Sequence, residues 1–106
     1  MVGTLPFTAP EILQRKPYSF SSDVWSYGCL VYGLITGDHP MLTATVNSSD
    51  EMREVFRKAE IRFDQPVWKK VTAECRDFIR QLLVIEPQHR LKMSDVVNHP
   101  WLARSE

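Results

Sequence analysis

Asp23-Val24-Trp25-Ser26-Tyr27-Gly28-Cys29-Leu30-Val31-Tyr32-Gly33-Leu34-Ile35-Thr36 carries only three polar side chains, those of Asp23, Ser26 and Thr36. Ser21 and Ser22 ahead of it offer N-caps, and Asp23 adds a negative charge to the first turn. Gly37 supplies the stop. The stretch therefore reads as one helix over 23–36. A helix that is apolar on every side has to be wrapped in protein. It falls short of the roughly 20 apolar residues a membrane span needs, so it is a core helix and no membrane contact is expected.

The flanking segments supply the wrapping. Pro6 and Pro10 hold an extended opening, because each disfavours helix in the residue before it. A short turn over 10–14 follows, with Pro10 at its first position. Residues 38–47 read as a loop around Pro40. Ser48-Ser49-Asp50-Glu51 is a capping box opening a polar helix to Lys58, whose stripe is Met52, Val55 and Phe56. Residues 61–68 read as irregular. Thr72 then caps a helix whose Cys75, Phe78, Ile79, Leu82 and Leu83 fall on one face, and Pro87 ends it. Ser94 is expected to cap a last helix over 95–99, stopped by Pro100. The reading is all-α.

Composition excludes several functions. The 106 residues carry thirteen basic and thirteen acidic side chains, which cancel, so there is no surplus to neutralise a nucleic-acid backbone. The 43% hydrophobic and 25% charged content is that of a globular chain. Met1 to Pro6 has neither a basic start nor a long apolar run, so it does not read as a signal peptide. Cys29 and Cys75 lie in apolar helical patterns and are expected as buried free thiols in a reducing, intracellular and cytoplasmic setting. Neither has a His at ligand spacing, and no metal site is expected. His39, His89 and His99 are isolated and read as loop or surface residues. Arg53, Glu54, Arg57, Lys58 and Glu60 alternate in sign, as on a solvated face.

Short motifs, taken in order, say more. Gly3-Thr4-Leu5-Pro6-Phe7-Thr8-Ala9-Pro10-Glu11 resembles the end of the activation segment in eukaryotic protein kinases, which finishes in Ala-Pro-Glu. Asp23-Val24-Trp25-Ser26-Tyr27-Gly28 is similar to that family's Asp-x-Trp-x-x-Gly. Pro87-Gln88-His89-Arg90 and His99-Pro100-Trp101 are similar to its closing Pro-x-x-Arg and His-Pro-Trp elements. The residues from Phe63 to Trp101 look most like the calcium/calmodulin-dependent group, nearest to calcium-dependent protein kinases. The resemblance covers residues 1–106 as one partial domain, the distal part of the C-terminal lobe of the bilobal α+β kinase fold.

The resemblance implies roles for single residues. Glu11 and Arg90 would form an ion pair tying the substrate loop to the distal helices. Thr4 would support the catalytic Asp, and Thr4, Leu5 and Thr8 would face the protein or peptide substrate. Asp23 would anchor the catalytic loop; without that loop its carboxylate is left with its own helix's N–H groups. Phe7 and Gly33 depart from the pattern of some basophilic kinases, which puts one mode of substrate-Arg recognition in doubt.

The sequence holds no Gly-rich phosphate loop, no His-Arg-Asp and no Asp-Phe-Gly, the elements that position ATP, Mg and the attacking hydroxyl. No catalytic base is therefore assigned here. ATP and Mg would belong to the full-length kinase, and the missing remainder of the domain would be a partner of this surface. Two functional readings stand: part of a serine/threonine kinase, inactive alone, or a non-catalytic module that sequesters substrates or partners.

Overall fold

The computed structural model describes residues 7–42, 46–58 and 60–103. The elements are α1 (Pro10–Leu13), α2 (Phe20–Thr36), α3 (Ser49–Lys58), a 3₁₀ turn at Pro66–Lys70, α4 (Ala73–Leu82), a second at Pro87–His89, α5 (Met93–Val96) and α6 (Pro100–Ala103). No strand occurs among the described residues. The all-helical reading holds.

α2 is the organising element, and its start differs from the expected one. The N-cap is Ser19, in extended conformation, and Ser22 at the third helical position closes the capping box. The Ser19 N–H donates to Ser22 Oγ at 3.3 Å. Ser21 and Ser22 therefore lie inside the helix. Ser21 Oγ instead donates to the Pro87 carbonyl at 3.0 Å, so it holds a distant loop. At the other end Gly37 takes φ +81°, a left-handed stop that only glycine adopts without strain, and its N–H closes on the Gly33 carbonyl.

α4 lies across α2 in the most extensive helix contact among the described residues. The contact is close because Gly28 has no side chain. A Cβ there would stand 2.8 Å from Leu83 Cδ2 and 2.9 Å from Leu82 Cβ. Trp25, Tyr32, Phe78, Ile79 and Leu82 are fully buried around this crossing. Phe56 of α3 meets Trp25 edge-on at 5.4 Å. Thr72 caps α4 as expected, accepting from the Cys75 N–H at 3.2 Å. Both cysteines are free and buried, and burial pushes the Cys29 thiol up to about 12.

The C-terminal helices begin earlier than expected. α5 starts at Met93, with extended Lys92 as its N-cap and no capping side chain, so Ser94 lies within it. Pro100 opens α6 rather than stopping α5, since its missing N–H falls where no helical partner exists.

Two histidines are also not on the surface. His39 is 2% and His99 6% exposed. His39 Nδ1 accepts the N–H groups of Met41 and Leu42 at 3.1 and 3.0 Å. His99 Nδ1 accepts the Trp101 N–H at 3.1 Å, and its Nε2 meets Asp77 Oδ2 at 2.7 Å. Each ring replaces solvent with backbone partners, which removes the cost of burying it.

The wrapping of α2 is incomplete. Phe20 is 80% exposed, Leu34 78% and Leu30 44%. Two outcomes are expected from this packing. Gly28→Ala should lower stability by roughly 1–3 kcal/mol through overpacking, despite the ~1 kcal/mol that alanine offers a helix interior; a denaturant midpoint at or above wild type would contradict it. The isolated chain should self-associate through the α2 stripe. Light scattering after size exclusion checks this, with Leu34→Glu expected to shift the distribution toward monomer. A wild-type chain that is monomeric and melts cooperatively would contradict it.

Candidate functional site

Residues 7–9 lead into α1 through extended Ala9, and Pro10 starts the helix at its first position. Ser26 Oγ donates to the Phe7 carbonyl at 3.0 Å, so the body of α2 holds this segment. Thr8 is half-buried and Phe7 40% exposed. Thr4 and Leu5 lie outside the described residues.

α1 then sinks its second residue into the protein. Glu11 Oε1 sits 2.6 Å from Arg90 Nη2, and Glu11 Oε2 sits 2.8 Å from Arg90 Nη1. The pair is bidentate, with side chains 3% and 0% exposed. Ser22 Oγ donates to Glu11 Oε2 at 2.8 Å. The rest of the guanidinium is equally satisfied. Nε donates to the Val84 carbonyl at 2.7 Å, Nη2 to Ile85 at 3.1 Å and Nη1 to Ser21 at 2.8 Å. All five N–H donors have an acceptor, which is the condition under which a buried charge is tolerated. The Trp25 ring closes one face, 5.1 Å from the guanidinium carbon.

This cage decides the ionisation of Glu11. Burial alone would raise its pKa. The bonds from Arg90, from the backbone and from Ser22 outweigh burial and hold the carboxyl below its ordinary value. Ser22 and Trp25 are structural members of the site that sequence reading did not assign; the cap position of Ser22 was the visible signal, and it pointed to a helix end instead.

Asp23 lies elsewhere. It is half-buried, and its carboxylate accepts the Tyr18 hydroxyl. The expectation that it would bind its own helix's N–H groups is corrected. With Ser19 as N-cap, Asp23 occupies the fourth helical position, past the unpaired N–H groups of the first turn. Among the described residues no cluster of three or more His, Cys, Asp or Glu is placed to hold a metal ion.

A folded-state pKa below the unfolded one means stability that is present above the unfolded value and lost as pH falls through the folded value. Wild-type stability should therefore decline from about pH 5 downward. Arg90→Ala strands the Glu11 carboxylate and should cost about 3–5 kcal/mol at pH 7, whereas Lys69→Ala on the surface should cost within about 0.5 kcal/mol. Urea titrations at pH 7 and pH 3.5 check both; a difference between wild type and Arg90→Ala that does not shrink in acid would contradict the assignment.

The protein kinase domain family model matches residues 1–102. CDPK-related kinase 5 of Arabidopsis thaliana is 39% identical over 105 residues, covering 99% of this chain and 17% of that protein. Calcium/calmodulin-dependent protein kinase type 1 of Caenorhabditis elegans is 36% identical, covering 95% of this chain and 28% of that protein. The autoinhibited serine kinase domain of the giant muscle protein titin superposes with a TM-score of 0.81 at 35% identity, over 93% of this chain and 30% of that one. The chain thus spans less than a third of each, within the helical part of the fold. It belongs to the protein kinase family, among relatives named as serine/threonine-protein, CDPK-related and calcium/calmodulin-dependent kinases.

Proposed function

We propose that this chain is the substrate-facing loop and distal scaffold of a serine/threonine kinase that transfers the ATP γ-phosphate to protein Ser or Thr. The observation that carries the reading is the buried Glu11–Arg90 cage. It fixes α1, into which the segment of Phe7 and Thr8 leads, to two distant parts of the chain, and that is what a loop needs if it is to present a substrate hydroxyl reproducibly. Thr4, Leu5 and Thr8 are the positions that face the substrate, and Asp23 is the anchor for the catalytic loop. The working surroundings are intracellular and cytoplasmic.

The residues described here do not fit ATP and Mg²⁺. Mg²⁺ in such sites takes one or two carboxylates together with phosphate oxygens. Among the described residues the one buried carboxylate, Glu11, is already committed to Arg90. No step of phosphoryl transfer is therefore assigned to side chains of this chain, and alone it should not transfer phosphate.

The test is a chimera in which this chain replaces the matching segment of calcium/calmodulin-dependent protein kinase type 1. The chimera should melt cooperatively and move radiolabelled phosphate from Mg-ATP to a serine peptide, while the 106-residue chain alone should not. A chimera that folds but transfers nothing would sink the reading, as would turnover by the chain alone that disappears on mutating it.

A further inference from the structure

α6 is a four-residue helix, too short to hold its shape without tertiary contacts. It meets α4 through the Trp101 ring, 5.2 Å from Phe78, and through the imidazole just ahead of it. That imidazole, of His99, packs on the same Phe78 at 5.0 Å. Its Nδ1 accepts the Trp101 N–H at 3.1 Å, and its Nε2 meets Asp77 Oδ2 at 2.7 Å. One ring thus bonds to the first turn of α6 on one side and to α4 on the other.

These two bonds fix the protonation of the ring. An N–H points at Nδ1, so Nδ1 is bare and the single ring proton sits on Nε2, shared with Asp77. The ring is 4% exposed, so water cannot stand in for either partner. Asp77 is itself steadied, because Gln81 Nε2 donates to the same oxygen at 2.8 Å. Its carboxyl is held below the ordinary range, chiefly by the bond to His99, and stays charged in mild acid. Arg80, on the same helix, adds its field at Asp77. Glu74 lies one turn earlier on that face of α4. α6 carries no charged side chain, Asp95 of α5 is exposed, and α2 contributes Tyr27, edge-on to Phe78.

A second proton sets the two bonds against each other. An imidazolium carries an N–H on both nitrogens. At Nε2 this strengthens the contact with Asp77, which becomes charge-assisted. At Nδ1 the new N–H confronts the Trp101 N–H, and neither can accept. Turning the ring over would put carbon at both nitrogen positions and lose Asp77 as well. The partner that gives way is α6, the shortest and least anchored element at the ring. We propose that His99 is a proton-operated latch: protonated at Nδ1, it keeps Asp77 and lets α6 leave Phe78. The latch is independent of phosphoryl transfer, and it works above the acidic range in which the Glu11 cage fails.

The test uses the full chain with fluorotryptophan at Trp25, Trp68 and Trp101 and carbon-13 in the histidine rings. NMR follows both labels from about pH 8 to about pH 5.5, the span in which imidazoles take up a proton. The Trp101 signal, identified by its loss in Trp101→Phe, should move toward that of a solvated tryptophan. Its midpoint should coincide with the charging of His99, while Trp25 and Trp68 stay in place. His99→Asn keeps an acceptor for the Trp101 N–H but takes no proton, so its Trp101 signal should not move. Asp77→Asn should lower the midpoint by about half a pH unit or more. Where His99→Asn displaces Trp25 and Trp68 even at about pH 8, the coincidence of midpoints in the wild type decides. A Trp101 that stays docked while His99 charges overturns the latch, as does a His99 that takes no proton in this span. Movement of Trp101 in a folded His99→Asn, movement of all three tryptophans together, or a midpoint indifferent to Asp77→Asn overturns it too.

Discussion

A guanidinium with five donors and no exposure to water must find acceptors for all of them, and Arg90 finds them on three separate pieces of chain. Glu11 comes from α1, Ser21 from the first turn of α2, and Val84 and Ile85 from the loop behind α4. Moving any of these pieces by an ångström leaves a buried charge unpaired, a cost on the order of several kcal/mol. The cage therefore acts as a geometric specification. Hydrophobic packing alone would tolerate small slides of one helix on another; this bond set does not.

α2 carries the consequences outward. One side meets α4 so closely that position 28 has to be glycine. The N-terminal turn supplies Ser22 to Glu11 and Ser21 to both Arg90 and Pro87. Further along, Ser26 holds the segment at Phe7. One helix thus sets the core, the ion cage and the presentation of the loop. Phe20, Leu30 and Leu34 take no part in these contacts and stay exposed.

Much of this was legible in order and spacing. The apolar run at 23–36, the Thr72 cap and the one-sided stripe of α4 follow from local rules, and the structure has them. Errors fell where long-range bonds outbid local ones. Ser21 and Ser22 look like caps because serine bonds well to a helix start. Their hydroxyls have better partners 66 residues and 11 residues away, at Pro87 and Glu11, and the cap moved to Ser19. The Glu11–Arg90 pair, 79 residues apart, has no local signature at all; only the resemblance to kinases joined them. Tyr18 as the partner of Asp23 had no signal either.

The histidines show a rule that was present in the sequence and went unread. His39 and His99 are each followed by proline, and in both cases Nδ1 accepts the N–H two residues on, from Met41 and from Trp101. Proline explains the repetition. It has no N–H of its own, and its fixed φ turns the chain so that the next N–H points back at the ring. With Nδ1 occupied as an acceptor, the proton sits on Nε2. That nitrogen then points to a second group, Cys29 Sγ at 3.8 Å for His39 and Asp77 Oδ2 at 2.7 Å for His99. The Asp77 carboxyl is drawn below its usual range, mainly by its bond to His99. A lone histidine reads as surface because nothing local satisfies it; a His-Pro pair carries its own acceptor role, and burial follows.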